Sequence, residues 1–341
     1  MIRKIIAGVV CFIILMGYVI FLESQGIESK YLGGAIPAVI LFTVLTFVWK
    51  KITGSKKQKE ERVISFLKLI RLTNLIIVAL IQLLIKFSLI NPFVENFILS
   101  NTQFYLLVLA TVFITASGYI INDIYDVATD TINKNQKRLI GKSIKSRNAI
   151  SWYIFFNFIG LLLGCYIAYI VKRPAFGLIF FYCIFSLWTY SKHMKSSFLL
   201  GNLQVSFLTA LSIFNVALFD MIPNGINKTN GELMIFKIIL CYTAFAFITT
   251  FIREIIKDLE DMKGDKKINA KTLAITFGIE KTKWVSLAFV ILTFSGISYF
   301  QYFQYSVLCS TFSVELSYWG VNKISVFYTF FLQVLLLFLV F

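Results

Sequence analysis

Apolar runs of roughly 18 to 25 residues recur from one end of the chain to the other, each long enough to cross ~30 Å of hydrocarbon as a helix. They fall near 5–22, 31–49, 64–88, 103–121, 149–171, 174–190, 198–219, 234–252, 283–302 and 323–341. Polar stretches rich in Lys, Arg, Asp and Asn separate them. The pattern predicts an all-α, multi-pass transmembrane helical bundle. Residues 1–49 read as an N-terminal two-helix transmembrane hairpin around the acidic turn "LESQGIESK", with no ionisable residue inside either helix. A basic linker, "KKITGSKKQKEER" at 50–62, joins it to one bundle over 63–341.

Composition strengthens this picture. The 341 residues are 58% hydrophobic and 15% charged, with 36 Phe, far too little polar surface for a soluble domain of this size. Arg3 and Lys4 open the first apolar run, but no small-residue cleavage site follows "MGYVIFLESQG", so a retained helix is expected rather than a cleaved leader. Five scattered Cys, at 11, 165, 183, 241 and 309, form no CxxC pair and read as packing residues. The net charge of +16 raises nucleic-acid binding, yet its distribution points to lipid instead. About two dozen basic residues gather at the N-terminus, in 50–62, after residue 133, in "SKHMK" (191–195) and over 253–283, all on one side of the predicted topology. That side is the cytoplasmic face of a cell (inner) membrane by the positive-inside rule, and no nucleic acid is expected.

Two acidic stretches interrupt the apolar pattern at this same side. In "NDIYDVATD", Asn122, Asp126 and Asp130 fall at i, i+4 and i+8, with Asp123 beside them. In "REIIKDLEDMKGDKK", Glu254, Asp258, Asp261 and Asp265 fall at i, i+4, i+7 and i+11, and Gly264 is placed to end that helix. The two lie about 136 residues apart, and each leads from an apolar helix into a basic loop, a weak duplication of the kind that builds one site between halves. Acids at a helix end can be a solvated cap. Two stripes of like charge on the same membrane side instead require a compensating cation. Oxygen ligands without His or Cys favour Mg²⁺, which keeps few protein carboxylates and takes water and phosphate oxygens for the rest. A Mg²⁺-bridged diphosphate follows, its charge further neutralised by Lys and Arg, with an apolar chamber behind it for a hydrocarbon tail.

These residues resemble the UbiA superfamily of intramembrane prenyltransferases over roughly 63–341. Its NDxxDxxxD signature is matched by Asn122, Asp123, Asp126 and Asp130, and its second acidic signature by the run from Glu254 or Asp258 through Asp261 to Asp265. The second motif looks most like that of digeranylgeranylglyceryl phosphate synthase-like members. The resemblance implies a UbiA-like fold of eight or nine core helices and an alkyl transferase (not of methyl) dependent on Mg²⁺. It implies transfer of an isoprenyl group, first choice geranylgeranyl, from its diphosphate to a lipophilic acceptor, first choice a glycerol phosphate ether. Asn122, Asp126 and Asp130 would hold one Mg²⁺, and Asp258, Asp261 and Asp265 the other, with Asp123, Asp126, Asp261 and Lys195 as the catalytic residues. Asp123 would orient the acceptor or a ligand. "TYSKHMK" resembles the family's Tyr-and-Lys loop, making Tyr190 and Lys195 diphosphate contacts, and "IRLTN" puts Arg71 and Asn74 toward the cavity. For Arg71, snorkelling to the interface is the alternative. Lys137, Arg138, Arg253 and Lys257 complete the expected substrate-binding cations.

The chain departs from the family pattern in two places. "NKNQKR" lacks the prolines of the usual "NKPxRP", so the phosphate-facing role is open between Lys137 and Arg138. The bundle also counts eight firm helices, with 305–320 read as an outer loop, which leaves room for truncation of a last helix. Two rival functions stand beside the first choice: an aromatic-acceptor prenyltransferase of quinone or haem side-chain biosynthesis, and a cation-coupled transporter. Transporters usually place ionisable residues near the bilayer midplane and break helices around them, whereas both acidic sets here sit at one edge in a chain with 4 Pro.

Overall fold

A computed structural model describes residues 57–94, 97–127, 138–224, 230–267 and 269–311. The hairpin expected over 1–49, the linker up to residue 56 and the apolar run 323–341 lie outside the described residues, as do Asp130 and Lys137. Among the described residues all regular structure is helical, beside one isolated bridge between Ile140 and Ile144. In chain order the helices are α1 Lys57–Leu69, α2 Leu72–Leu84, α3 Asn101–Tyr125, α4 Ser146–Ile170, α5 Gly177–Lys192, α6 Leu200–Asp220, α7 Asn230–Lys267 and α8 Leu273–Thr311. α2 runs on through a π-turn, Ile85–Ile90, to Phe93. Six spans among these are long and apolar enough to cross a membrane: Leu72–Phe93, Asn101–Tyr125, Ser146–Ile170, Pro174–Lys192, Leu200–Asp220 and Glu232–Lys267. Large side chains also point outward, Tyr169 at 78% and Trp284 at 70% exposure, as lipid rather than water permits. The chain is an integral membrane protein with the expected all-α, multi-pass fold.

Two boundaries differ from expectation. The run 64–88 is not one helix: Arg71 adopts a left-handed backbone (φ 50°, ψ 54°), ending α1 and starting α2. A left-handed residue cannot continue a right-handed helix, and Arg71 is held there by its side-chain partners. α7 does not stop at Gly264 but runs to Lys267. Asn269 takes the left-handed position instead (φ 54°), with its N–H 3.3 Å from the Lys266 carbonyl and the Ala270 N–H 3.0 Å from that of Asp265. That pair of reverse bonds is a Schellman cap, and Asn tolerates its geometry nearly as well as glycine.

The chain divides into two compact units. The first takes in the described parts of Met1–Ala128, Gln136–Ser191 and Leu211–Thr243. Its core joins Leu69, Ile70 and Leu75 to Ala116, Ile120 and Ile140, with Ala149 and Phe156 from α4. α1 docks there through Phe66, whose ring centroid lies 4.9 Å from that of Trp152. Close helix approach relies on glycine: a Cβ on Gly160 would lie 2.7 Å from the Ile114 side chain, and one on Gly164 2.4 Å from the ring of Phe180. α3 starts with a capping box in which the Ser100 hydroxyl accepts from the Gln103 N–H and the Gln103 side chain accepts from the Ser100 N–H.

The first unit also encloses a charge pair that the apolar pattern hid. Lys86, in the π-turn, donates to the Asp220 carboxylate at the end of α6, and both side chains are fully buried. Lys86 also donates to the Leu99 carbonyl at 3.1 Å and lies over the Phe97 ring at 4.0 Å. The other Asp220 oxygen accepts from the backbone of Ile98 at 3.1 Å and Leu99 at 2.8 Å. Each charge is thus paired and its hydrogen-bonding capacity used, the condition under which a buried ion pair is tolerated.

The second unit comprises Lys192–Ala210 and the described parts of Ala244–Phe341. Phe251 and Ile255 of α7 pack with Leu273, backed by Leu199, Val285 and Phe289. α8 is kinked at Gly278 (φ 80°), a backbone geometry that glycine adopts readily. α7, 38 residues long, extends ~57 Å, nearly twice the ~30 Å hydrocarbon thickness, so its acidic end has length to spare beyond the lipid.

Candidate active site

The first acidic stretch sits where α3 ends. Asp126 is the C-cap residue, its N–H bonded to the Asn122 carbonyl at 2.9 Å, and both side chains are buried. The Asn122 amide nitrogen donates to Asp126 Oδ2 at 2.7 Å, while Asn122 Oδ1 is buried and accepts no hydrogen bond. An orphaned buried amide oxygen beside a carboxylate is a donor set suited to a hard cation such as Mg²⁺. Among the described residues no group of three or more His, Cys, Asp or Glu converges as a metal cage; Asp130, the third expected ligand, lies outside them.

Asp123 is drawn to the start of α2. Arg71 donates to its Oδ1 at 3.3 Å, and the guanidinium lies 4.7 Å from the centre of the Tyr119 ring. The Asn74 amide donates to the Tyr119 hydroxyl at 3.3 Å. Arg71, Asn74 and Asp123 therefore form one cluster around Tyr119, and Arg71 turns to the protein rather than snorkelling away. Arg138 is half-buried at the start of the segment leading to α4.

In the second unit, Asp258, Asp261 and Asp265 lie along α7, the first two half-buried and Asp265 buried. Glu254, one turn earlier, is spoken for: it is buried and paired with Arg253 at 2.5 Å and Lys257 at 3.4 Å. The charges of Arg253 and Lys257, both expected at the substrate, are thus partly balanced within the helix. Tyr190 lies in the last turn of α5, described with the first unit. Lys195 is half-buried in the short 3₁₀ turn Met194–Ser196, described with the second unit. The Lys271 N–H donates to the Ser196 carbonyl at 2.8 Å, tying this turn to the segment after α7.

Three residues absent from the sequence expectations shape these clusters. Tyr119 bridges Arg71 and Asn74. Asn202 donates to Asp258 Oδ2 at 2.9 Å. Gly201 lets α6 begin against the Lys195 turn, because a Cβ there would lie 2.6 Å from the Met194 carbonyl oxygen. Asn202 did carry a signal, a polar residue opening an apolar span in "LGNLQVSF", but nothing in the sequence pairs it with a residue 56 positions on.

The described residues form a multi-pass helical membrane bundle in which α3 and α7 carry acidic side chains, several of them paired with Lys or Arg. The family model described as the UbiA prenyltransferase family matches residues 76–335, and the chain belongs to that family. Among curated relatives it is similar to the digeranylgeranylglyceryl phosphate synthase of Saccharolobus solfataricus, 38% identical over 52% of this chain and 58% of the relative. The like-named protein of Sulfurisphaera tokodaii is 34% identical over 55% and 63%, and that of Hyperthermus butylicus 28% identical over 74% and 82%. The chain spans about three-fifths of the length of the first two relatives. Two solved structures share the fold: a digeranylgeranylglyceryl phosphate synthase (TM-score 0.53, 24% identity, 81% of this chain and 88% of that one), and a UbiA homologue of Archaeoglobus fulgidus bound to DMAPP and Mg²⁺ (0.50, 17%, 80% and 86%).

Proposed function

We propose that the chain transfers an isoprenyl group, geranylgeranyl first, from its diphosphate to the free hydroxyl of a glycerol phosphate ether. The observation that carries this choice of acceptor is the run of curated relatives named digeranylgeranylglyceryl phosphate synthase, joined here to an intact NDxxDxxxD sequence. The allylic C1–O bond breaks with its electron pair passing to the diphosphate, and the acceptor oxygen forms the new ether bond to C1 and gives up its proton, which passes to the released diphosphate or to water. Mg²⁺, held by Asn122, Asp126 and Asp130 and by Asp258, Asp261 and Asp265, would supply the charge neutralisation that makes diphosphate a good leaving group. Lys195, Tyr190 and one of Lys137 and Arg138 would meet the diphosphate oxygens, whose charge grows as the bond breaks. Arg253 and Lys257 add positive field at α7. Asp123, braced by Arg71, orients the acceptor, with Asn74 and Tyr119 completing that corner. Counting one crossing per span returns both acidic stretches to one side, which we assign to the cytoplasmic face of the cell membrane.

The test is direct. Purified protein with Mg²⁺ and labelled geranylgeranyl diphosphate is offered geranylgeranylglyceryl phosphate and a panel of aromatic acids in competition. Label in the glyceryl ether, lost on chelation and in Asp126→Ala and Asp261→Ala, is the expected result. Label in an aromatic product overturns the acceptor; no transfer to any acceptor overturns the activity; full activity in either variant overturns the metal assignment.

A further inference from the structure

Asn202 sits in the first turn of α6, 6% exposed, and gives its amide N–H to Asp258 Oδ2 at 2.9 Å. Its position is set by a chain of local constraints. Leu199, immediately before α6, takes a left-handed backbone (φ 56°), which turns the chain sharply out of the Lys195 turn. The Ser197 N–H bonds the Met194 carbonyl at 3.0 Å, and the next helix starts so close that only a glycine fits at 201, since a Cβ would meet Met194 O at 2.6 Å and Lys195 Cα at 3.1 Å. Leu199 packs on Phe251, Ile255 and Leu273. The same turn of α6 therefore fixes both the backbone that carries Lys195 and the side chain that grips Asp258.

We infer that Asn202 is a positioning residue for Mg²⁺ binding: its amide holds one oxygen of Asp258 so that the other is presented to the cation. The inference rests on the assignment of Asp258 as a metal ligand proposed above. A carboxylate ligand gains from an oriented outer partner because its rotamer is settled before the metal arrives, and losing such a partner typically costs 10–100-fold in metal affinity. Asn is suited to the role, since it donates a proton to the carboxylate without adding a charge that competes with the metal.

The experiment uses the full chain in detergent, with Mg²⁺ and inorganic pyrophosphate as probes. Two readouts are taken: the Mg²⁺ concentration giving half-maximal thermal stabilisation with pyrophosphate present, and the half-maximal Mg²⁺ for prenyl transfer. Asn202→Leu keeps the side-chain size but removes the donor, and Asn202→Ala, which also has no side-chain donor, is the fallback if the leucine variant does not fold. In either, both Mg²⁺ midpoints are expected to rise about 10-fold or more. A structural role alone would lower the metal-free melting temperature and leave both midpoints at the wild-type value, and that result overturns the inference. Asp258→Asn separates the two levels. If the wild type shows Mg²⁺-dependent stabilisation that Asp258→Asn fully retains, the ligand assignment itself fails, whatever Asn202 does.

Discussion

Removing the charge of Lys86 alone should destabilise the protein severely, and removing both charges of its pair should restore much of the loss. Lys86→Met leaves the Asp220 carboxylate fully buried with only the Ile98 and Leu99 amides, at 3.1 and 2.8 Å, as partners. Breaking a buried pair from one side typically costs about 3–5 kcal/mol, because the remaining charge has no counter-ion. Asp220→Asn should cost about as much: the fully buried Lys86 keeps the Leu99 carbonyl and the Phe97 ring face but loses its counter-charge, while the amide oxygen still accepts from Leu99 and the Ile98 N–H also has the Asp220 backbone carbonyl at 3.2 Å. In Lys86→Met with Asp220→Asn, an amide oxygen can still accept from both backbone groups and no charge remains. That double variant should recover about 2 kcal/mol or more relative to Lys86→Met.

The assay is thermal unfolding in one detergent at fixed protein concentration, followed by a double-mutant cycle. At roughly 2–4 °C per kcal/mol, Lys86→Met should lower the midpoint by on the order of 10 °C, and the double variant should regain roughly half of that. If Lys86→Met melts with the wild type, or if the double variant melts no higher than the worse single, the pair is not the buried, mutually compensated knot described here.

Three further outcomes follow from the backbone and from close contacts. Gly164→Ala should cost about 1–3 kcal/mol by melting temperature, because its Cβ would meet the ring of the buried Phe180 at 2.4 Å. Gly201→Ala should reduce the proposed prenyl transfer on the order of 10²-fold, because the obstacle is the Met194 carbonyl, backbone that cannot swing aside without moving Lys195, a residue we propose contacts the diphosphate. Asn269→Gly should melt within a few tenths of a kcal/mol of wild type, whereas Asn269→Val forces a β-branched residue into φ 54° and should cost about 1–3 kcal/mol.

The helices and acidic stretches were legible in the sequence because the membrane makes them so. Lipid cannot hydrogen-bond a backbone, so a span must be a long apolar helix, and acids such as Asp126 and Asp258 stand out against it. The same filter hid Lys86. One Lys among Ile, Leu and Phe reads as tolerable noise in an apolar run, and its meaning depends on Asp220, 134 residues away. Boundaries failed for a related reason. Gly264 looked like a stop, but a helix ends where a residue can enter the left-handed region with carbonyls to receive the reversed N–H groups, and Asn269 provided that five residues later.

The residues proposed to hold metal and the polar groups packed around them were therefore unequally visible. Asn122 and Asp126 repeat at helical spacing, so local periodicity alone put them on one face, and the buried Asn122 Oδ1 adds an open acceptor that spacing could not supply. Tyr119 and Asn202 act across 45 and 56 residues of sequence, through one hydrogen bond each. Each is a polar group in a largely apolar span, where an unpartnered hydroxyl or amide would cost free energy that lipid cannot return. That cost is why such groups deserve weight as partners of a site: a polar side chain kept inside a membrane helix must be satisfied by something, and here Tyr119 meets Arg71 and Asn74 while Asn202 meets Asp258.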